Sequence, residues 1–305
     1  MTTRRVAAVD CGTNSIRLLI ADLDTERMVA TDISRQMRIV RLGEGVDRTG
    51  RLANAAIDRT IAALGEYAEE IRSQAPEEVR MVATSATRDA ENSAEFTRRV
   101  KEVLGVEPEV VSGDEEAGLS FSGATRELAG TGGGPYLVAD IGGGSTEFVE
   151  PRAHVSVNIG CVRITERRLH GDPPSSAEVA AATADIDAAL DTAAETVPVT
   201  GVRTLVGLAG SVTTVAAIAL GLEDYDAERI HHSRISATQA HEISSRLLAQ
   251  TRAERAAIPV MHPGRVDVIG AGSLILDRIM TRFGFTEVLV SEHDILDGIA
   301  WNLVQ

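Results

Sequence analysis

Residues 6–20 read Val6-Ala-Ala-Val-Asp-Cys-Gly-Thr-Asn-Ser-Ile-Arg-Leu-Leu-Ile20, and residues 136–149 read Tyr136-Leu-Val-Ala-Asp-Ile-Gly-Gly-Gly-Ser-Thr-Glu-Phe-Val149. Both stretches consist of a short apolar run, the pattern Asp-x-Gly-x-x-Ser and a second apolar run. This pattern predicts two strands joined by a tight glycine turn, that is, a β-hairpin. The second copy follows the first by 130 positions, which is the size of a domain. The sequence therefore predicts two similar domains, each of which opens with a β-hairpin.

Strand and helix patterns are mixed along the rest of the chain. Apolar residues between positions 57 and 71 recur at helical intervals of three and four. Further helices are predicted at 91–104, 115–128 (with Asp114 as its N-cap), 162–169, 177–196, 212–220, 238–250, 266–282 and 295–303, and further strands at 79–83, 109–111, 155–159, 202–208 and 287–290. This mixture indicates an α/β fold. The glycine-rich segment 131–135 predicts a linker, so the predicted domains are residues 1–128 and residues 129–305.

The composition excludes several classes of protein. With 44% apolar and 25% charged residues, the 305-residue chain is neither disordered nor fibrous. Only 3% of the residues are aromatic and the formal net charge is −15, so no binding to nucleic acid or to a membrane surface is expected. No apolar run reaches the roughly 18 residues of a membrane span. Cys11 and Cys161 stand far apart in a chain whose first residues form no apolar signal core, which predicts reduced thiols and a cytoplasmic location.

Four glycine-containing turns are candidates for phosphate binding, at residues 12–15, 142–145, 207–211 and 270–273. Glycine lets the backbone pass close to a ligand and expose successive N–H donors, and the last two turns lead into helices, whose N-termini favour anions. None has the lysine of a Walker loop or completes the Rossmann fingerprint. A single glycine turn is usually only a turn. The repeated hairpin turn, together with the later Gly-Ser helix starts, favours a phosphate cradle between the two domains.

Acidic residues accompany these turns. Asp10 and Asp140 each end a strand at a turn, and Glu147 lies across the second hairpin from Asp140. Phosphate chemistry needs a divalent cation, and Mg²⁺ takes one or two carboxylates together with waters. The alternative interpretation is that these aspartates only cap their turns.

Glu115, Glu116 and Arg88 are further candidates. Acidic residues in the first turn of a helix often serve only as partners of the helix dipole. Neighbouring helix positions point about 100° apart, so only one of the two glutamates can face a site and act there as a general base. Arg88 follows a strand in a polar turn, where its guanidinium suits a phosphoryl oxygen; the alternative is a solvated surface arginine.

Seven motifs, in their order along the chain, resemble those of the exopolyphosphatase/guanosine pentaphosphate phosphohydrolase family. They lie at 9–15, 84–88, 112–117, 140–147, 160–163, 207–211 and 262–272, and the last reads His262-Pro-Gly-Arg-Val-Asp-Val-Ile-Gly-Ala-Gly272. The family belongs to the actin/Hsp70/sugar-kinase superfamily. The resemblance therefore implies two RNase H-like lobes with an interdomain cleft that closes over phosphates, in agreement with the internal repeat.

The resemblance also implies the function and the residues that perform it. The family removes the terminal phosphoryl group of inorganic polyphosphate or the γ-phosphate of guanosine pentaphosphate, the latter a molecule of the stringent response. Its catalytic glutamate corresponds to Glu116 and its phosphate-contacting arginine to Arg88, while Asp140 and Glu147 match its acidic site for Mg²⁺ or Mn²⁺. The implied substrate-binding residues are Asn14, Ser15, Gly142, Gly143, Gly144, Ser145, Gly210 and Ser211.

Several alternatives remain open from the sequence. Longer family members carry additional C-terminal domains, so a short polyphosphate chain is the expected substrate, with guanosine pentaphosphate as the alternative. A kinase of the same superfamily, a non-catalytic sensor that binds guanosine tetra- or pentaphosphate, and a scaffold are the other possible functions. A homodimer is common in the family. His231, His232 and His262 are expected to be surface or turn histidines without a metal.

Overall fold

The computed structural model describes residues 3–128 and 133–304. The chain forms two compact units, Met1–Gly123 with Ile295–Gln305, and Ala124–Asp294. Residues 131 and 132 of the predicted linker lie outside the described residues. Within the described ranges, no helix has both the length and the apolar character that a membrane span requires.

The first unit contains a five-stranded sheet in the order β3-β2-β1-β4-β5. Its strands are β1 (Thr3–Cys11), β2 (Ser15–Asp24), β3 (Val29–Ile39), β4 (Glu78–Ala83) and β5 (Glu109–Val110), and its helices are α1 (Val46–Thr49), α2 (Asn54–Gln74), α3 (Ser85–Arg88), α4 (Ser93–Leu104) and α5 (Gly113–Thr125). The strands β1, β2 and β3 are antiparallel, whereas β4 and β5 run parallel to β1. Alternate residues of β1 belong to two different apolar clusters, Ala7 and Val9 to one and Val6 and Ala8 to the other. Both faces of this sheet are therefore covered, as a continuous apolar strand requires.

The second unit contains a six-stranded sheet in the order β10-β11-β9-β6-β7-β8. Its strands are β6 (Tyr136–Ile141), β7 (Thr146–Glu150), β8 (Ala153–Val157), β9 (Thr204–Leu208), β10 (Arg234–Ser236) and β11 (Glu287–Val290); its helices are α6 (Cys161–Arg168), α7 (Ser176–Thr196), α8 (Ala209–Ala219), α9 (Ala227–Ile230), α10 (Ala237–Ala249), α11 (Arg252–Ala256) and α12 (Ile269–Phe283), with a 3-10 turn at Pro263–Arg265. The order β8-β7-β6-β9 repeats β3-β2-β1-β4, with the same antiparallel and parallel pairings. The structure thus confirms the α/β class and the predicted hairpin in each unit.

The last helix, α13 (Ile295–Asn302), packs with the first unit. Its residues Ile295, Ile299 and Trp301 share an apolar cluster with Val6 and Ala8 of β1. The sequence-based division instead places residues 129–305 together in the second domain. The apolar spacing of α13 predicts a helix with a buried face but does not specify which sheet that face covers.

The start of α5 differs from the sequence prediction. The helix begins at Gly113, and the Ser112 hydroxyl accepts a hydrogen bond from the Glu115 amide at 3.1 Å. The N-cap predicted at Asp114 is therefore wrong, because Ser112, an equally good capping residue, lies two positions earlier. Asp114, Glu115 and Glu116 consequently all lie in the first turn.

The N-terminal cap of α7 predicts how part of the protein's stability against unfolding depends on pH. Glu178 accepts hydrogen bonds from the amides of Ser175, Gly171 and His170, and the Ser175 bonds, as the largest cause, lower the pKa of Glu178 from 4.5 to about 2. Because the folded-state pKa lies below the unfolded one, this stabilisation is complete above pH 4.5 and is lost as the pH falls towards 2. We expect Glu178→Gln to lower the urea midpoint at neutral pH, and the difference from the wild type to shrink between pH 4.5 and 2. A difference that stayed constant over this range would contradict the assignment.

Candidate active site

Two buried carboxylates lie side by side in the second unit. Asp140 on β6 and Glu147 on β7 are direct cross-strand partners, with relative exposures of 7% and 1%. Directly opposed antiparallel residues have their Cβ atoms about 4.5–5.5 Å apart. The Ser156 hydroxyl, on the next strand, donates to Glu147 Oε1 at 2.7 Å. Hydrogen bonding of this kind fixes the orientation of a carboxylate that binds a metal.

The chemistry of this pair fits a hard divalent cation. Two neighbouring buried carboxylates repel each other, and a cation bound to an oxygen of each carboxylate removes this repulsion. Mg²⁺ prefers one or two carboxylates and completes its shell with water and phosphate oxygens. The chemistry of Asp140 and Glu147 therefore suits a hard divalent cation such as Mg²⁺.

The first unit holds an ion pair at the equivalent position. Asp10 and Arg17 are cross-strand partners in the β1–β2 hairpin, as Asp140 and Glu147 are in the second hairpin. Arg17 donates from Nε and Nη2 to Oδ2 of the buried Asp10, at 3.0 and 2.6 Å. The guanidinium thus neutralises the aspartate of the first hairpin. At the position that corresponds to Arg17, the second hairpin has a second carboxylate, Glu147. Only the second hairpin has the acidic pair that suits a cation.

The turn of the second hairpin exposes backbone N–H groups. Its carbonyl oxygens are satisfied, because those of Gly142 and Gly143 accept from the first amides of α6 and that of Gly144 accepts from Arg163 Nε at 2.6 Å. The N–H groups of Gly143, Gly144 and Ser145 have no hydrogen-bond partner among the described residues. Three successive N–H groups of this kind form a concave anion-binding surface.

The turn of the first hairpin has the same arrangement. The carbonyl of Asn14 accepts from Val40 and Arg41, and the carbonyl of Thr13 accepts from Gly43. Within the described part of the chain, the N–H groups of Thr13 and Asn14 have no partner, and the buried Asn14 Oδ1 also has none. Both repeated turns therefore direct their carbonyls towards protein and leave their donors available.

The packing around the second turn depends on Gly160. A Cβ at this position would overlap the Gly143 carbonyl and approach the Gly144 nitrogen to 2.6 Å. We expect Gly160→Ala to displace the turn, to lower phosphate-release activity by more than tenfold and to cost about 1–3 kcal/mol of unfolding free energy, as overpacking usually does. Activity assays and urea denaturation measure both effects.

Gly65→Ala is the matched control for this substitution. Gly65 lies in α2 and has nothing within 4 Å of the position of a Cβ. Alanine there should raise the free energy of unfolding by about 0.5–1 kcal/mol and leave activity unchanged. An active Gly160→Ala protein would show that the turn tolerates displacement.

Glu116 and Arg88 form an ion pair in the first unit. Arg88, the last residue of α3, donates from Nη1 to Glu116 Oε2 at 3.0 Å and to the Val111 carbonyl at 2.9 Å. Glu116 is 8% exposed. Its neighbour Glu115 pairs instead with Arg80 Nη2 at 3.0 Å. The two glutamates have different partners, as their angular separation on the helix predicts.

Gly210 and Ser211 lie in the first turn of α8. Arg265 Nη1 donates to the Gly210 carbonyl and, at 3.1 Å, to Thr214 Oγ1. A Cβ on Gly210 would overlap this guanidinium, so glycine is required where Arg265 packs. The sequence pattern predicts no role for Arg265, although this residue lies in the motif at 262–272.

Comparison with known proteins shows which family the chain resembles. The model of the Ppx/GppA phosphatase family matches residues 19–305. Exopolyphosphatase 2 of Mycobacterium tuberculosis is 50% identical over 318 residues, an alignment that covers 99% of each chain. A solved structure of an exopolyphosphatase-like protein has a TM-score of 0.95 at 40% identity and covers 99% of this chain and 98% of its own.

A more distant relative is named for a different activity. The guanosine-5'-triphosphate,3'-diphosphate pyrophosphatase of Aeromonas salmonicida is 29% identical over 306 residues, which cover 98% of this chain and 59% of that protein. The family match over nearly the whole chain and the relative at 50% identity confirm the resemblance noted in the sequence. This chain belongs to the Ppx/GppA phosphatase family.

Proposed function

We propose that this protein is an exopolyphosphatase, which hydrolyses the terminal phosphoryl group of inorganic polyphosphate, preferentially of short chains. The observation that carries the proposal is the pair of repeated turns whose N–H groups at Thr13, Asn14 and residues 143–145 are available for phosphate oxygens. The relative at 50% identity, which is named an exopolyphosphatase, supports the same substrate. As a member of a family of phosphoanhydride hydrolases, the chain is an enzyme.

Glu116 is the proposed general base. Its carboxylate accepts one proton from water, the water oxygen bonds to the terminal phosphorus, and the bond from phosphorus to the bridging oxygen breaks. The products are orthophosphate and a chain shortened by one unit, whose new terminal oxygen keeps the bonding electrons. The Arg88 guanidinium, bonded to Glu116 Oε2 at 3.0 Å, fixes the direction of this carboxylate and would offset the negative charge that develops on the phosphoryl group.

The remaining predicted residues bind and orient the substrate. Phosphoryl transfer depends mainly on positioning and electrostatic stabilisation, because little covalent chemistry is left to the protein. We assign the backbone donors of both turns, with Ser15, Ser145, Gly210 and Ser211, to the phosphate oxygens. Mg²⁺ held by Asp140 and Glu147, or Mn²⁺ in its place, would offset the negative charge of the substrate.

The experiment that tests this function compares phosphate release from short polyphosphate, long polyphosphate and guanosine pentaphosphate, with and without Mg²⁺ or Mn²⁺. We expect the largest kcat/KM for short polyphosphate and a requirement for the divalent ion. Equal or faster release from guanosine pentaphosphate would contradict the substrate assignment.

Guanosine pentaphosphate hydrolysis is the second candidate function. The Aeromonas salmonicida relative favours it, since the name of that protein describes the cleavage of this nucleotide. A third possibility, a sensor that binds guanosine tetra- or pentaphosphate without cleavage, predicts tight binding and no phosphate release from any of the three substrates.

A further inference from the structure

The first turn of α6 holds three carbonyl groups of the second hairpin turn. The carbonyls of Gly142 and Gly143 accept the backbone N–H groups of the first residues of α6, at 2.9 to 3.1 Å. The Gly144 carbonyl instead accepts from a side chain, the Nε–H of Arg163, at 2.6 Å. Three successive peptide groups are therefore fixed, two of them by backbone donors and the third by a side chain.

The direction of each of these carbonyls determines the direction of the next N–H group. A peptide group is planar and trans, so its C=O and its N–H point in opposite directions. The three carbonyls belong to the same peptide groups as the N–H donors of residues 143, 144 and 145. The Ser145 N–H is thus the donor whose direction depends on Arg163.

The Ser145 N–H is suited to an anionic ligand. Ser145 is 2% exposed, and its N–H has no hydrogen-bond partner among the residues that the structure describes. Buried N–H groups without a partner are rare in folded proteins, and successive N–H groups in a turn of this kind bind anions. The direction of this donor should therefore matter for anion binding.

The first hairpin holds the corresponding peptide group through backbone donors. Asn14 has the position of Gly144 in the repeat, and its carbonyl accepts the N–H groups of Val40 and Arg41 at 3.0 and 2.9 Å. Backbone donors remain when side chains are replaced. In the second hairpin the same peptide group is held by a side chain, so a single substitution can release it.

We propose that Arg163 is a positioning residue, which directs the Ser145 N–H towards a phosphoryl oxygen of the substrate; the inference rests on the proposed function. Arg163 acts through the Gly144 carbonyl, and the donor at its Nε, not its positive charge, performs the role. A hydrogen bond to a charged group contributes about tenfold or more to affinity. Loss of the direction of this N–H should have an effect of that size.

Three substitutions of Arg163 separate the donor from the charge. Glutamine has an N–H donor on the atom that follows Cδ, as arginine does, but no charge. Lysine keeps the charge but has a carbon at that position, and methionine has neither donor nor charge. We expect kcat/KM for phosphate release from tripolyphosphate to fall no more than about threefold in Arg163→Gln, and at least about tenfold in Arg163→Lys and Arg163→Met.

Calorimetry in a Glu116→Gln background measures the binding of tripolyphosphate separately from its cleavage. The affinity should follow the same order, with Arg163→Lys and Arg163→Met at least about tenfold weaker than the background protein. Absence of phosphate release from polyphosphate by the wild type would contradict the proposed function and would leave this order of affinities in place. The two failures are therefore distinguishable.

Arg168→Gln is the matched control. Arg168 also lies on α6 and donates from Nε at 2.6 Å, but to Asp185, so its replacement should change kcat/KM by less than about twofold. Equal activity and affinity in Arg163→Gln and Arg163→Met would overturn the proposal. Full activity in Arg163→Lys together with a loss in Arg163→Gln would also overturn it, since the charge would then be the cause. If Arg163→Met does not fold, the comparison of Arg163→Gln with Arg163→Lys decides.

Discussion

Replacement of Glu116 by glutamine is expected to lower the rate of phosphate release about 10²–10⁴-fold, the usual cost of removing a general base. Glutamine has nearly the same shape, and its amide oxygen can still accept the hydrogen bond from Arg88, which is now 3.0 Å from Glu116 Oε2. The loss should therefore appear in kcat, while the affinity for a slowly hydrolysed polyphosphate stays close to that of the wild type. Single-turnover kinetics and calorimetry measure the two quantities separately.

The neighbouring residue gives a close control for this substitution. Glu115 lies in the same first turn but pairs with Arg80 at 3.0 Å. Glu115→Gln should consequently change kcat by no more than about twofold, because an exposed ion pair contributes only about 0.2–1 kcal/mol. Near-normal turnover in Glu116→Gln would reject Glu116 as the base, and a large loss in Glu115→Gln would mean that the wrong glutamate has been assigned.

Features encoded by local sequence patterns could be predicted without the structure. The two hairpins follow from apolar runs on either side of a glycine turn, and their repetition predicts one sheet in each half. The register places Asp140 opposite Glu147, as expected from the spacing of seven residues across a tight turn. The separation of Glu115 and Glu116 follows from helix geometry alone.

Features that depend on distant contacts could not be predicted. Arg265 reaches Gly210 from 55 positions away, and no local pattern indicates the target of a long side chain. Glu127 Oε2 lies 3.0 Å from Nε2 of His231, a residue 104 positions later, and each of the two residues by itself is typical of a surface. The helix α13 returns to β1 of the first unit, since an amphipathic helix covers whichever apolar surface the rest of the fold leaves open.

The second large effect on activity is expected from the loss of either carboxylate of the acidic pair, Asp140 and Glu147. We expect Glu147→Gln and Asp140→Asn to lower phosphate release at least about 10²-fold, the scale on which a single group that stabilises transition-state charge contributes. Added Mg²⁺ should raise the melting temperature of the wild type, since an ion at a hundred times its dissociation constant contributes about 2.7 kcal/mol. Because each variant lacks one of the two anionic ligands, this rise should disappear in both.

The Ser156→Ala variant separates the binding of the ion from its orientation. Both carboxylates remain, but Glu147 loses the donor that is 2.7 Å from its Oε1, so the Mg²⁺ concentration for half-maximal activity should increase about 10–100-fold, as for other partners of metal ligands. Saturating Mg²⁺ should then restore most of kcat, which it cannot do for Glu147→Gln. A melting temperature that still rises with Mg²⁺ in Glu147→Gln and Asp140→Asn would place the ion elsewhere. Stabilisation of the negative charge in the transition state would then have to come from the Arg88 guanidinium and from the backbone N–H groups of the two turns.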